Sequence, residues 1–392
     1  MAAGTVLLEL GAVLLALGVL GRLAARIGLP AIPLYLITGL VVGEGGIYSL
    51  HASEEFIEIG SDIGLVLLLL MLGLEYSTEE LASGLRTHRA AGLFDAVANF
   101  TPGFVVGLLL DWGPLAAALL GGVTYVSSSG MIARLLDQFE RIGNRETPIV
   151  LSLLVIEDLA MALYLPIVTG LLIGEGTVDY VVSIAVALLV VAVVLGVSSR
   201  YGAQVSRVVS TESGELFLLT VLGIALLVAG LAEKVNVSAA VGAFLVGVSL
   251  SGRVAEQGRE VLAPLRDLFA GIFFVFFGLQ VAPSQLAPAA ATAIALAVLT
   301  GLTKYYTGWW ATRRAGVGPR GRIRAATILL PRGEFSIVIA GLGVAAGQNA
   351  DLGSVTACYV LILAIGGTLV ARYAEPIADA VLRRRAQRAR AA

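Results

Sequence analysis

Long apolar stretches separated by short polar loops run from the first residues of the chain to about residue 373. A helix rises about 1.5 Å per residue, so most of these stretches are long enough to cross a hydrocarbon core of about 30 Å. The pattern therefore predicts thirteen transmembrane helices, at roughly 5–25, 30–47, 56–75, 90–110, 113–137, 147–173, 178–198, 214–232, 237–252, 264–282, 287–311, 323–347 and 353–373.

The composition agrees with a protein made almost entirely of membrane helices. Hydrophobic residues make up 58% of the 392 residues and charged residues only 14%, whereas a soluble domain has about 45–50% and about 25%. We therefore predict an all-α polytopic membrane protein whose membrane domain covers residues 1–375. We expect it to be neither an enzyme nor a nucleic-acid-binding protein, and we expect no cofactor.

Basic residues indicate the orientation of the helices. Nearly all of the 26 Lys and Arg residues lie at the ends of alternate loops, and the opposite loops are acidic. By the positive-inside rule, the N-terminus lies outside the cell membrane and the C-terminus in the cytoplasm, which requires an odd number of helices. Residues 376–392 form a basic cytoplasmic tail, which we expect to lie on anionic lipid or to dock a separate subunit.

Two adjacent carboxyl groups, Glu157 and Asp158, lie near the middle of the sixth apolar segment and are the only charged residues between 149 and 173. An ionisable side chain at that depth costs at least about 2.5–3.5 kcal/mol, so it usually has a functional role. Adjacent residues on a helix point about 100° apart, so the two carboxyl groups contact different neighbours. We interpret them as a site for protons or monovalent cations; the alternative is an inert buried ion pair.

Two apolar segments are interrupted by residues that disfavour a helix. The fifth contains Ser127, Ser128 and Ser129 near its middle, and the twelfth contains Pro331 and Gly333. The segments are seven apart, so they run in opposite directions, which predicts inverted repeats with two crossing discontinuous helices. Such breaks are typical of the binding site of secondary transporters. The serine hydroxyls are candidate ligands for a desolvated cation, although ordinary packing of small residues would also explain them.

Four more charged residues inside apolar segments are candidates for the same site. Lys304, in the eleventh, either snorkels toward the membrane surface or pairs with a buried carboxylate, and we expect Glu157 to be that partner. Arg332 and Glu334 flank the second interruption, where they neutralise half-helix ends or contact the ion directly. Arg332 and Glu334 either face each other or have separate partners, and Asp95 in the fourth segment is a candidate for such a partner.

Several motifs resemble those of one known family: SSSGMIARLL, VIEDLAMALYLP, IFFVFFGL, LTKYYTGWW and PRGEFSIVIAG. Together they are similar to the Kef-type branch of the monovalent cation/proton antiporters, and PRGEFS is similar to the Kht-type potassium/proton antiporters within it. The resemblance implies a homodimer in which a core domain, about 90–173 and 287–373, moves like an elevator against a dimerisation domain of the remaining helices. It also implies a separate cytoplasmic regulatory subunit.

By position, Asp158 matches the ion- and proton-binding aspartate of that family. Glu157 occupies the variable position before that aspartate, and Lys304 matches the basic residue of the family's core domain. We therefore predict a secondary antiporter that exchanges potassium, or sodium, for protons by alternating access, with the ions competing for Asp158. An electrogenic sodium/proton antiporter is the alternative within the class. Three proteins of other classes are less consistent with the sequence. A gated cation channel would need repeated carbonyls or charge rings, and an intramembrane enzyme would need a second acidic motif. An organic-anion symporter would need a more positive site.

Overall fold

The structure, a computed structural model, describes residues 3–29, 31–43, 54–75, 78–173, 213–234, 239–250 and 252–391, with scattered positions at 46 and from 185 to 211. Every regular element within these residues is a helix. In chain order the elements are α1 Ala3–Ile27, α2 Ile32–Val42, α3 Glu54–Glu75, α4 Thr78–Leu109, α5 Gly113–Tyr125, α6 Ser129–Gln138, α7 Thr147–Ile173, α8 Gly214–Lys234, α9 Ala239–Ser249, α10 Arg253–Leu279, α11 Pro283–Arg314, α12 Pro319–Ile328, α13 Glu334–Ala345, α14 Asp351–Arg372 and α15 Ala374–Ala391.

The helices have the length and apolar character of membrane spans. Among the described residues, eight stretches are long and apolar enough to cross a membrane. Shorter apolar helices lie at Ile32–Val42, Ile59–Met71 and Glu334–Ala345. The predicted seventh segment, 178–198, falls largely outside the described residues. The prediction of an all-helical protein is therefore confirmed for the part of the chain that the structure describes, while the total of thirteen spans stays a prediction.

Two helices begin earlier than the apolar pattern predicts. α4 begins at Thr78 instead of about residue 90, and α10 begins at Arg253 instead of about residue 264. The added turns are polar and charged, which removes them from an apolar segment, but good helix formers such as Glu, Leu and Arg continue the helix through them. The predicted basic tail is likewise helical, in α15.

Two compact units can be distinguished in the chain. The first comprises Met1–Leu17, Tyr35–Ser83 and Leu159–Gln280. The second comprises Gly18–Leu34, Gly84–Asp158 and Val281–Ala392. All nine site residues predicted from the sequence lie in the second unit, which we call the site unit.

Glycines in the first unit allow helix backbones to approach closely. An added Cβ at Gly39 of α2 would lie 2.1 Å from the carbonyl oxygen of Val275 in α10. Gly73 of α3 and Gly247 of α9 make a similar crossing, where a Cβ on either would lie 2.2 or 2.3 Å from a backbone oxygen. Small residues at such crossings are typical of membrane helices, whose association depends on close packing.

The predicted interruptions in the site unit are breaks between half-helices. In the first break, α5 ends at Tyr125, Val126 is extended with φ −80° and ψ 134°, and α6 begins at Ser129. In the second break, α12 ends at Ile328 and α13 begins at Glu334. Both predicted discontinuities are therefore present, and each frees backbone groups that need partners inside the unit.

The two breaks lie against each other. The N–H of Ser128 donates to the carbonyl oxygen of Pro331 at 3.1 Å, and the Ser336 hydroxyl donates to the carbonyl oxygen of Val123 at 2.8 Å. Gly333 permits this approach, because an added Cβ would lie 2.7 Å from the Ser128 hydroxyl oxygen. Each break thus supplies hydrogen-bond partners for the other, as irregular backbone at membrane depth requires.

Candidate ion-binding site

The centre of the site is Lys304 of α11, whose side chain is 0% exposed. Its Nζ lies 2.7 Å and 3.0 Å from the two carboxylate oxygens of Asp95 in α4, and 3.1 Å from Oε1 of Glu157 in α7. The ring of Tyr125, the last residue of α5, has its centroid 5.6 Å from the same Nζ. The lysine is therefore a buried ion-pair partner, and the snorkelling alternative is wrong.

Both Asp95 and Glu157 contact Lys304, and Asp95 is the nearer of the two. The Asp95 side chain is 1% exposed, and its Oδ1 also accepts a hydrogen bond from Asn99 Nδ2 at 2.9 Å. The same amide nitrogen lies 3.0 Å from the Asp95 carbonyl oxygen, one helical turn earlier. The suggestion that Asp95 pairs with Arg332 or Glu334 is therefore wrong, because α4 turns this carboxylate toward α11.

The two adjacent carboxyl groups of α7 are both buried, each 1% exposed. Glu157 uses one oxygen for Lys304 and accepts the N–H of Ser127 with the other, at 2.5 Å. Asp158 interacts electrostatically with Tyr125, the residue whose ring lies beside Lys304. The helix thus attaches one carboxylate to the lysine and the first break, and it buries the second carboxylate beside them.

The serine hydroxyls of the first break bond to the second break. The Ser127 hydroxyl donates to the carbonyl oxygen of Leu329 at 3.3 Å, and the Ser128 hydroxyl donates to Oε2 of Glu334 at 2.6 Å. Ser129 is the first residue of α6 and is partly exposed. The hydroxyls therefore take part in the packing of the two breaks, and their role as cation ligands stays a prediction.

Arg332 is fully buried and connects the two breaks through neutral oxygen atoms. Its guanidinium donates to the carbonyl oxygens of Leu329 (3.1 Å), Leu330 (3.2 Å) and Thr124 (3.4 Å) and to the hydroxyls of Tyr359 (3.2 Å) and Ser127 (3.3 Å). The alternative in which Arg332 and Glu334 face each other is wrong, since the Glu334 carboxylate accepts the Ser128 hydroxyl instead. The five bonds of Arg332 bridge α5, the second break and α14.

Several polar residues that support the cluster are absent from the set predicted from the sequence. The Thr303 hydroxyl donates to Asn99 Oδ1 at 2.8 Å, and the Thr124 hydroxyl donates to the Asn99 carbonyl oxygen at 2.8 Å. The hydroxyls of Thr300 and Tyr359 lie 2.9 Å apart. Helical spacing could have identified Thr300, because it lies four residues before Lys304 and on the same face of the helix.

Comparison with known proteins identifies the family to which this arrangement belongs. The family model described as sodium/hydrogen exchanger, transmembrane, matches residues 12–375. The chain belongs to this family. The predictions of a Kef-type membrane transporter and of monovalent cation/proton exchange are thereby confirmed.

Known relatives resemble this exchanger over nearly its whole length. The K(+)/H(+) antiporter subunit KhtU of Bacillus subtilis is 31% identical, over 94% of this chain and 93% of its own. The ammonium/H(+) antiporter subunit AmhT of Alkalihalophilus pseudofirmus is 30% identical, over 95% and 94%. The solved structure of the sodium proton antiporter MjNhaP1 from Methanocaldococcus jannaschii has a TM-score of 0.70 and 19% identity and covers 96% of this chain and 99% of its own, so it confirms the fold.

Proposed function

We propose that this exchanger transports potassium against protons across the cell membrane, and that the two ions compete for Asp158. The proposal rests on the buried charges of the site unit. Three carboxyl groups and two basic side chains are each 1% exposed or less, namely Asp95, Glu157, Asp158, Lys304 and Arg332. With every acid ionised, these groups carry a net negative charge. A proton or a monovalent cation reduces that charge and an anion increases it, which argues against an organic-anion symporter.

Competition at one buried carboxylate is sufficient for exchange. A protonated Asp158 is neutral, and an ionised Asp158 with a bound monovalent cation is neutral as well. The bare carboxylate is far more costly to carry through apolar surroundings. If alternating access is open only to the two neutral states, each cation that crosses in one direction requires a proton to cross in the other.

The other charged groups have compensating roles in this proposal. Lys304 contacts both Asp95 and Glu157 and offsets one of their two negative charges. Arg332 and Glu334 offset the partial charges at the ends of the half-helices, which amount to about half an elementary charge at each end. Oxygen atoms of Ser127 and Ser128, with carbonyls freed at the breaks, are suitable neutral ligands for a monovalent cation that has lost its water.

Potassium is the cation we favour. Its support is the name of KhtU, a K(+)/H(+) antiporter subunit that matches this chain over nearly its full length. Sodium, with electrogenic exchange, is the alternative. Ammonium belongs in the same test, because AmhT is named as an ammonium/H(+) antiporter subunit at almost the same identity.

We also propose the architecture that the resemblance implies. Thirteen spans form two inverted repeats, with the N-terminus outside the cell and the basic tail, 376–392, in the cytoplasm on anionic lipid. The helices at about 90–173 and 287–373 form a moving core domain, which is supported by the presence of both breaks in one compact unit. The remaining helices form the dimerisation domain of a homodimer, and a separate cytoplasmic subunit regulates transport.

Ion exchange by the purified protein in vesicles tests the assignment. Proton flux and membrane potential are recorded together while gradients of potassium, sodium, ammonium, lithium and rubidium are imposed one at a time. We expect a potassium gradient to drive proton flux in the wild type. In Asp158→Asn we expect the flux to fall to that of protein-free vesicles, because an amide neither takes up the proton nor neutralises the cation.

The matched control is Asp267→Asn, which makes the same chemical change at a side chain that is 55% exposed and paired with Arg266. It is expected to exchange ions at the wild-type rate. Wild-type flux in Asp158→Asn would refute the assigned site. Currents far above the rate of proton flux would instead support a gated cation channel.

A further inference from the structure

The two carboxylate partners of Lys304 hold it in different ways. Asp95 contacts the ammonium with both oxygens, at 2.7 Å and 3.0 Å, whereas Glu157 contacts it with one oxygen at 3.1 Å. All three side chains are 1% exposed or less. One buried ammonium therefore has two anionic partners, of which Asp95 makes the closer and more extensive contact.

Asp95 is fixed by neighbours on three helices. Asn99, on its own helix, donates to its Oδ1 at 2.9 Å. The Asn99 side chain is held in turn by the Thr303 hydroxyl of α11, and its backbone oxygen accepts the Thr124 hydroxyl of α5, both at 2.8 Å. The bond from Thr303 orients the side-chain amide of Asn99 so that its N–H₂ group points at the carboxylate. The direct hydrogen bonds to the Asp95 carboxylate thus come from Asn99 of its own helix and from Lys304 of α11.

Glu157, in contrast, is attached to the break itself. Its second oxygen accepts the N–H of Ser127, which lies in the extended segment between α5 and α6. It also directly precedes Asp158, the residue at which the proposed exchange takes place. A cation bound at Asp158 and the freed oxygens of the break would therefore meet Glu157 before it meets Asp95.

We propose that Asp95 is the permanent counter-ion of Lys304, so that Glu157 can exchange its contact with the lysine for a contact with the transported cation. The inference rests on the proposed function, because it assigns the cation to Asp158. Breaking a buried ion pair is strongly unfavourable when one charge is left without a partner. With Asp95 in place, Lys304 keeps a carboxylate throughout, and the departure of Glu157 is correspondingly easier. Asp95 is in this sense a positioning residue.

Two substitutions separate this role from a purely structural one. In Asp95→Asn, Glu157 is the one anionic partner that Lys304 keeps among the described residues, so cation binding must break that ion pair. We expect the KM for the cation to rise by more than about tenfold, while the maximal rate stays within about threefold of the wild type. The added substitution Lys304→Gln releases Glu157, so the double variant Asp95→Asn/Lys304→Gln is expected to return the KM toward the wild-type value.

Thermal unfolding in detergent without potassium gives a readout that does not depend on transport. Glu157→Gln leaves the pair of Lys304 and Asp95 intact and is expected to melt close to the wild type. Asp95→Asn removes the bidentate contact and is expected to melt clearly lower, or not to fold at all. The exposed substitution Asp267→Asn serves again as the control for an acid-to-amide change.

Three results would overturn the inference. One is an unchanged KM in Asp95→Asn, and another is a double variant that binds the cation as weakly as Asp95→Asn alone, as expected if Asp95 were itself a cation ligand. The third is a melting order in which Glu157→Gln is less stable than Asp95→Asn. Failure of Asp158 as the exchange site would show up in Asp158→Asn alone and would leave the melting comparison unaffected.

Discussion

Replacing Arg332 with methionine removes the donor that bridges the two breaks while it keeps a side chain of similar length. The guanidinium donates to the carbonyl oxygens of Leu329 and Leu330 at 3.1 Å and 3.2 Å, and the side chain is fully buried. A buried acceptor left without a partner costs about 1–3 kcal/mol. The Leu329 carbonyl keeps the Ser127 hydroxyl as a donor, whereas the Leu330 carbonyl loses the one donor that the described residues give it, so the expected loss in the free energy of unfolding is about 1–3 kcal/mol.

The measurement is unfolding in detergent micelles, followed by tryptophan fluorescence and by titration with a denaturing detergent. A matched control is Arg322→Met on the neighbouring half-helix. Arg322 is partly exposed, and its Nε donates to the carbonyl oxygen of Val317 at 2.7 Å, so water can take the place of the lost donor. We expect that control to lose about 1 kcal/mol or less.

A second variant, Arg332→Lys, separates charge from geometry. Lysine keeps the positive charge but has one nitrogen instead of a planar fork, so it cannot serve acceptors in both breaks at once. Its stability is expected to lie between those of the wild type and the methionine variant. If Arg332→Met were no less stable than Arg322→Met, the bridging role of the buried guanidinium would be refuted.

Two further predictions concern contacts away from the breaks. Gly39→Ala places a Cβ 2.1 Å from a backbone oxygen of the opposite helix, so we expect the melting temperature to fall by several degrees. The control Gly11→Ala, which has nothing within 4 Å of the new Cβ, is expected to melt like the wild type. Equal melting temperatures of the two variants would contradict the close packing at Gly39. Glu146→Gln removes a carboxylate that is 3% exposed and paired with Arg324, and we expect a loss of about 1–3 kcal/mol in SDS titration. Asp379→Asn changes an exposed ion pair, and we expect it to lower the free energy of unfolding by less than about 1 kcal/mol. An equal loss in Glu146→Gln and Asp379→Asn would show that burial does not strengthen the ion pair of Glu146.

The breaks were predictable because their residues act locally. Proline lacks the N–H that a helix interior needs, so Pro331 locates the second break without any knowledge of its neighbours. The serine cluster offers the backbone alternative hydrogen bonds, and α6 begins at Ser129, within the predicted interruption. Burial of the acidic pair in α7 follows in the same way from the length of the apolar segment around it.

The partner of Lys304 was only half predictable. The apolar pattern identifies which helices carry charged residues, but it does not give the rotation of one helix against another. Asp95 and Lys304 are 209 residues apart, and their contact depends on how α4 and α11 are turned. The same limit explains why Tyr359 of α14 was missed as a partner of Arg332: nothing in its local sequence distinguishes it from a packing residue.

Lys304 and Arg332, the two basic residues of the candidate site, differ in the groups they contact and therefore in the charges they offset. Within the described residues, Arg332 donates to neutral oxygens, among them the carbonyls of Thr124 and Leu329 at the C-terminal ends of two half-helices. Those ends each carry about half a negative charge, so one guanidinium offsets both. Lys304 contacts two carboxylates and cannot neutralise both with its single charge. One negative charge of this pair of carboxylates therefore remains, close to Asp158, the residue at which we propose that a proton or a monovalent cation binds.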